Sequence, residues 1–272
     1  MKTASKVFTV AVFAFLYIPM LVLAVASFNT GSDLAVFKEF TFGNYRALFR
    51  DHVLLPLLLN SLIVAVLSSL LATVLGTAAA LGIQKMGRRQ RRLTMALTNI
   101  PLTNPEIVTG VSLALLFAFV GQALKMHSIM GFGTLLIAHV TFNLPYVILS
   151  VQPKLHQLDE NLSEAAMDLG CTPVQAFFKV ILHEIFPGIV SGALMAFTMS
   201  LDDFVISYFV YGADFVTLPV EIYNYTKKPL QPKIYALFTL LFLAIMLVML
   251  VMNLLQARDS ARHRSPRLKR AG

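Results

Sequence analysis

The sequence predicts an all-α, polytopic membrane protein with six transmembrane helices. Of its 272 residues, 57% are hydrophobic and only 13% are charged, against about 25% charged residues in an ordinary soluble domain. Six apolar stretches each reach the roughly 20 helical residues that cross a hydrocarbon core of about 30 Å. The alternating ten-residue segments of a membrane β-barrel do not occur in the sequence.

The predicted spans are residues 7–28, 57–83, 93–121, 133–152, 187–210 and 234–256. The first follows Lys2 and Lys6, as the apolar part of a secretory signal would. Its apolar stretch, Val7–Phe28, is longer than the roughly 7–15 residues of such a signal. We therefore expect it to remain in the protein as a transmembrane helix.

Span three is predicted to be interrupted. It begins apolar, meets Pro101-Leu102-Thr103-Asn104-Pro105-Glu106, and resumes at Ile107. Two prolines and a carboxylate at membrane depth require irregular backbone, which a bilayer tolerates only where it is buried in protein or lines a wet cavity. Span four carries the polar residues His139 and Asn143, and Gly188 and Gly192 give span five the spacing of close helix packing.

The distribution of Lys and Arg predicts that both termini lie inside. Most of the 22 basic residues then fall in the segments of the inner side, above all in the turn 84–92 and in the basic tail 257–272. This bias is the one that orients membrane proteins. The net charge of +8 does not require a nucleic-acid partner, because a basic tail suits anionic lipid headgroups.

The inner loop, residues 159–183, is predicted to form two short helices joined at Gly170. Thr172, Pro173 and Gln175 occupy the N-cap, N1 and N3 positions of a second helix. Asn161 and Glu164 have the same capping-box spacing at the start of the first. Gly170 lies between them, where a helix end favours a residue that tolerates positive φ.

The same loop is acidic. Its carboxylates are Asp159, Glu160, Glu164 and Asp168. A helix that only lay on an anionic leaflet would be basic, so the loop favours a protein partner over an ordinary membrane-surface linker.

The loop resembles the EAA loop of the membrane permeases of ABC importers. That pattern is E-A-A-x3-G-x9-I-x-L-P, and here Glu164-Ala165-Ala166, Gly170 and Val180-x-Leu182 match it, with His183 in place of the final proline. The resemblance implies a type I ABC importer permease fold, also called MetI-like. It also implies that a coupling helix contacts a separate ATPase through Glu164, Ala165, Ala166, Asp168 and Gly170.

Three further segments are similar to the second permease of spermidine/putrescine importers. They are Met199–Phe204, Asn104–Val108 and Thr217–Pro219. The resemblance implies polyamine import across a bacterial cytoplasmic membrane. The implied partners are a homologous permease that completes a heterodimer, two copies of an ABC ATPase and an extracytoplasmic polyamine-binding protein.

The chain is not predicted to be an enzyme. It lacks the G-x-x-x-x-G-K-[ST] phosphate loop, and its histidines and single cysteine suggest neither a metal cluster nor a nucleophile–base pair. We expect no cofactor in this chain, with ATP and Mg bound by the partner ATPase.

Three carboxylates fall within the predicted spans: Glu106, Asp202 and Asp203. Each costs roughly 2.5–3.5 kcal/mol at a helix centre on insertion scales, so a functional role is the default hypothesis. On a continuous helix Asp203 shares one polar stripe with Ser207, whereas Asp202 lies about 100° away. Asp203 is therefore the first candidate to face a pathway. The full set of candidate pathway residues is Asp203, Asp202, Glu106, Ser207, Tyr208 and Phe142.

No Lys or Arg in the predicted spans neutralises these acids, which favours a cationic cargo, and aromatic rings would suit its ammonium groups. The alternative role for each acid is to pair with a neighbouring span or to cap broken backbone. Two alternative functions also stay open. One is the same machine with another cargo, namely another cation, an amino acid, or a ferric or oxyanion substrate; the other is a proton-coupled secondary transporter.

Overall fold

The computed structural model describes residues 2–31, 36–125, 129–159, 161–227 and 231–264, and their regular structure is helical. The helices are α1 (Lys2–Ala26), α2 (Gly43–Phe49), α3 (Leu54–Gln84), α4 (Arg88–Thr103), α5 (Glu106–Ala123), α6 (Phe132–Gln157), α7 (Leu162–Asp168), α8 (Pro173–Ala176), α9 (Leu182–Leu201), α10 (Val205–Val210), α11 (Leu218–Thr226) and α12 (Pro232–Arg264). A short π-helical segment, Phe177–Ile181, joins α8 to α9.

Within the described residues, five helical segments are long and apolar enough to cross a membrane. They are Lys6–Ala26, Leu54–Gln84, Glu106–Ala123, Phe132–Gln157 and Pro173–Leu201. A shorter apolar segment, Pro232–Leu247, forms the first half of α12. The prediction of an all-α, polytopic membrane protein is confirmed. The end of the basic tail, 265–272, lies outside the described residues.

The predicted break in span three lies at Asn104 and Pro105. Helix α4 ends at Thr103, and α5 begins at Glu106. Asn104 has an extended backbone, with φ −75° and ψ 142°, because the ring of a following proline disfavours the helical conformation. Glu106 therefore lies in the first turn of α5 and not in the middle of a continuous span 93–121.

Span five differs from the prediction of one helix over 187–210. Helix α9 ends at Leu201, and α10 begins at Val205. The carboxylate of Asp203 accepts the backbone N–H groups of Ile206 and Ser207. A side chain that caps the start of α10 cannot also belong to an uninterrupted helix.

Contacts divide the chain into two units, residues 1–55 with 224–272 and residues 56–223. In the first unit, α12 packs against α1 and α2. Lys233, at the start of α12, donates a hydrogen bond of 2.8 Å to Asp51, which follows α2. Burial alone would raise the pKa of Asp51, but this bond, the backbone N–H groups of Leu54 and Val53 and the lysine charge hold it at about 2, below the ordinary 3.8.

In the second unit, α6 is the helix against which α3 and α9 pack. Both neighbours face it with small residues at four-residue intervals, which we call the two small-residue rows: Ser68, Ala72, Gly76 and Ala80 on α3, and Gly188, Gly192, Ala196 and Ser200 on α9. All eight are buried. A Cβ atom added at Gly76 would lie 2.8 Å from Val147, and one at Gly192 would lie 3.1 Å from the Cα atom of Val147. Small side chains let helix backbones approach closely in a membrane.

Candidate functional site

The interruption between α9 and α10 is the centre of the candidate pathway site. Asp203 is 8% exposed, and its two oxygens accept the backbone N–H groups of Ile206 at 3.2 Å and Ser207 at 2.7 Å. Its carboxylate also lies 3.4 Å from Nε2 of His139. The carboxylate of Asp203 therefore has its hydrogen-bond partners inside the subunit.

His139 connects both sides of the interruption. Its Nδ1 lies 2.6 Å from the hydroxyl of Ser200, in the last turn of α9, and its Nε2 lies 2.9 Å from the hydroxyl of Ser207 in α10. Ser68 of α3 donates a further hydrogen bond of 2.9 Å to Ser200. Four helices thus meet in one buried polar network, which satisfies groups that would be costly to leave unpaired at this depth.

The other two intramembrane acids are exposed on the subunit. Asp202 is the first residue after α9, and Glu106 is the first residue of α5. Glu106 is close enough to interact electrostatically with Asp203 and Asp202. The structure therefore brings the three acids of the predicted site together, although they come from two different helix interruptions.

Three aromatic rings form a cluster that begins two residues after Asp202. Phe204 lies 5.4 Å from the ring of Tyr208 and 4.6 Å from that of Tyr223, and Tyr208 and Tyr223 are 5.8 Å apart. Tyr208 and Tyr223 are 37% and 40% exposed. Tyr223 of α11 was not predicted, because only the folded chain brings α11 beside α10.

The structure reverses the expected order of the two adjacent aspartates. Asp203, the first candidate to face a pathway, is buried, and Asp202 is exposed. The expected stripe assumed a continuous helix, whereas the break after Leu201 turns the two side chains to different environments. Ser207 is fully buried in the His139 network, and Phe142 is buried in a core cluster with Phe117 and Ile206. These two candidates have packing and hydrogen-bonding roles inside the subunit.

The loop 159–183 contains the two short helices that the sequence predicts, α7 and α8. Gly170 lies between them with a φ of +90°, a conformation that glycine adopts without strain. Thr172 accepts the backbone N–H of Gln175 at 3.3 Å, and the Gln175 side chain accepts the N–H of Thr172 at 3.1 Å. The predicted capping box at α8 is confirmed.

The predicted cap at Asn161 is wrong. Its side chain makes no capping bond to α7, and its backbone N–H donates to Asp159 instead. At the other end of the loop, helical structure runs from Pro173 through His183 to Leu201. With His183 at the position of the motif proline, α8 therefore continues into span five without a non-helical linker.

The candidate coupling residues have different exposures. Ala166 is buried at 7%, and its carbonyl accepts the N–H of Cys171. The remaining four, Glu164, Ala165, Asp168 and Gly170, are exposed. Ala166 thus holds the loop together, and the exposed side of α7 is the part that a partner could contact. Among the described residues, no group of three or more His, Cys, Asp and Glu residues could hold a metal ion.

The chain is a helical membrane subunit with interrupted spans, a buried polar network and an exposed acidic loop. This architecture is typical of a transport permease. Residues 72–264 match the family model of the binding-protein-dependent transport system inner membrane component. The chain belongs to this family of ABC importer permeases. It is therefore a non-catalytic subunit of the bacterial inner membrane, with its ATPase on a separate protein.

Curated relatives align over most of the chain. The putrescine transport system permease protein PotI of Escherichia coli K12 is 39% identical over 234 residues, covering 86% of this chain and 83% of the relative. The spermidine/putrescine transport system permease protein PotC of the same organism is 34% identical over 255 residues, covering 94% of both. PotC of Haemophilus influenzae is 37% identical over 234 residues, covering 86% of this chain and 89% of the relative.

Solved structures show the same fold. A chain of a bacterial importer of the polysaccharide alginate superimposes with a TM-score of 0.69 at 13% identity, over 94% of this chain and 95% of its own. A chain of the MetNI methionine transporter gives 0.61 at 18% identity, over 75% and 94%. This likeness confirms the type I importer permease fold. The family assignment also favours an ATP-driven importer over the proton-coupled secondary transporter.

Proposed function

We propose that this chain forms half of a translocation pathway for linear polyamines such as putrescine and spermidine. The observation that carries the proposal is the pair Asp202 and Glu106, which are both exposed and close enough to interact electrostatically. The ring cluster of Phe204, Tyr208 and Tyr223 begins two residues after Asp202. Carboxylates suit ammonium groups, and aromatic faces attract cations and cover the methylenes between them.

The charge balance supports a cationic cargo. The buried acid Asp203 is held by the backbone N–H groups of Ile206 and Ser207. Neither of the two salt bridges found among the described residues involves Asp202 or Glu106. An anion would meet two further negative charges at this surface, and a cation would be stabilised by both. The names of the three curated relatives, which transport putrescine or spermidine and putrescine, support the same class.

A chain that forms only half of a pathway requires partner proteins. The exposed acids belong to one subunit, so we infer a heterodimer with a homologous permease that supplies the facing half. The complex would contain two copies of an ABC ATPase, which bind ATP and Mg. One copy would dock on this chain, at the exposed side of α7 and at Gly170. A polyamine-binding protein would deliver the cargo from outside the membrane.

The test is uptake of radiolabelled putrescine and spermidine by the reconstituted complex. Asp202→Asn should lower uptake about ten- to a hundredfold, the value of a charge-assisted contact, and Glu106→Gln should lower it less. Asp214→Asn is the matched control, because Asp214 is an exposed aspartate in the loop after α10. Wild-type uptake by both pathway variants, at equal protein levels, would refute a role for these acids in cargo transport.

A further inference from the structure

His139 spans the interruption between α9 and α10. Of the described side chains, His139 is the one whose two ring nitrogens contact hydroxyls on opposite sides of the break, Ser200 before it and Ser207 after it. The imidazole is 2% exposed. It is supplied by α6, whose other contacts with α9 are made by small residues and alkyl side chains.

The directions of the hydrogen bonds form one chain. Ser68 donates to Ser200, which leaves the Ser200 proton for Nδ1 of His139. With its ring proton on Nε2, the imidazole then donates to the hydroxyl of Ser207, and the same nitrogen lies 3.4 Å from the carboxylate of Asp203. One acceptor nitrogen, Nδ1, and one donor nitrogen, Nε2, thus serve the two serine hydroxyls.

We propose that His139 is a positioning residue for transport: it fixes the break between α9 and α10 so that Asp202 is presented to the cargo while Asp203 stays inside. This proposal rests on the proposed function for the role of Asp202, but not for the geometry. No other residue type offers two nitrogens on opposite edges of a rigid ring, and a rigid bridge sets the separation of the two helix ends.

The neighbouring contacts explain why one ring has this effect. Only three residues, Asp202–Phe204, separate α9 from α10, so a change in the separation of the two ends must rotate Asp202. Thr134, earlier on α6, donates to the carbonyl of Val210 at 3.0 Å. That bond ties the far end of α10 to α6 without touching the break, and Thr134 is buried like His139. Thr134→Val is therefore the control, and it also removes the hydrogen bonds of Thr134 to Gly131 at the start of α6.

The first measurement follows the geometry and does not depend on cargo. Cys171→Ser removes the single native cysteine, and Asp202→Cys then introduces a reporter thiol. The probe is a permanently cationic, membrane-impermeant methanethiosulfonate applied to the full reconstituted complex. His139→Leu should slow labelling about tenfold. A tenfold change in how often residue 202 is exposed corresponds to the free energy of about one lost hydrogen bond. His139→Gln, whose amide can still bond across the break, should restore most of the rate, and Thr134→Val should leave it unchanged.

The second measurement is polyamine uptake by complexes without the reporter cysteine. His139→Leu should lower the maximal uptake rate or raise KM, as Asp202→Asn does, and the double variant should be no worse than Asp202→Asn alone. Such non-additivity is expected when one residue acts through the other. Ser200→Ala and Ser207→Ala each remove one half of the bridge and give intermediate tests if His139→Leu does not assemble.

The outcomes separate the two proposals. Unchanged labelling of position 202 in every bridge variant would overturn the positioning role, as would losses that multiply in the double variant or equal losses from Thr134→Val. If labelling changes as expected but Asp202→Asn transports polyamines at the wild-type rate, His139 still positions the break and the proposed cargo role of Asp202 fails.

Discussion

Nε2 of His139 lies 3.4 Å from Oδ2 of Asp203, and both side chains are almost fully buried. The same carboxylate accepts two backbone N–H groups at the start of α10. Asp203 is thereby satisfied within one subunit, whereas its chain neighbour Asp202 is exposed. Two identical residues, adjacent in sequence, thus have separate tasks, and the separation can be measured.

Asp203→Asn should reduce stability where Asp202→Asn does not. The amide has one acceptor oxygen in place of two and no charge, so one backbone N–H of α10 loses its partner at a cost of about 1–3 kcal/mol. We expect a lower Tm and a lower yield of assembled complex for Asp203→Asn, measured by thermal denaturation in detergent. Equal Tm values for the two variants would contradict the assigned difference.

Ala165→Trp should uncouple the ATPase without unfolding the loop. Ala165 is exposed, whereas the neighbouring Ala166 is buried within the loop. A bulky side chain at Ala165 therefore blocks only a docking surface, and Ala166→Trp disturbs the loop as well. Substrate-stimulated ATP hydrolysis should fall to the basal rate in both, with normal Tm in Ala165→Trp alone.

The control for this experiment is Ala213→Trp, which places the same ring at an exposed position in the loop between α10 and α11. It should leave stimulated hydrolysis intact. Full stimulation in Ala165→Trp would show that the exposed side of α7 is not the docking surface.

Gly76→Ala should destabilise the second unit, and Gly82→Ala should not. Both glycines lie on α3, but a Cβ atom would meet Val147 at 2.8 Å from Gly76 and no heavy atom within 4 Å from Gly82. Overpacking of this kind costs typically about 1–3 kcal/mol, whereas alanine in an open helical position is favourable by up to about 1 kcal/mol. A lower Tm for Gly76→Ala alone is the expected result, and equal shifts would exclude close packing of α3 on α6.

Asp51→Asn should lower the free energy of unfolding by about 1–2 kcal/mol at pH 7. The folded-state pKa of Asp51, about 2, is below its ordinary value of 3.8. The contribution is therefore complete above pH 4 and is lost as the pH falls towards 2. Denaturation of wild type and variant should differ by a constant amount from pH 8 to pH 5 and converge below pH 4. Glu39→Gln, an exposed acid before α2, should show no such convergence.

Features with a local cause were predictable from the sequence. Pro105 determines the extended backbone of Asn104, and the pair Thr172 and Gln175 determines the start of α8. Gly170 adopts the positive φ that its place between two helices indicated. In each case the deciding interaction lies within a few residues of the chain, so a short window of sequence contains it.

Features that depend on packing between helices were not predictable. The break after Leu201 contains neither proline nor glycine, and it is stabilised by a cap from Asp203 and by the partner His139 on another helix. The helical spacing did place Ser207 on a polar stripe with Asp203, and both side chains contact His139. Their common partner becomes evident only once α6 lies against α9.

The two small-residue rows have a mechanical consequence. The backbones of α3 and α9 both lie close to that of α6, so α6 has no room to rotate or slide between them. We therefore expect the three helices to move as one rigid body. The loop 159–183 joins α6 to α9 at one end of these helices. His139 connects the same two helices near their other end, about 30 Å away along the 20 residues of α9. We therefore expect a displacement of α7 to be transmitted along α9 towards Asp202.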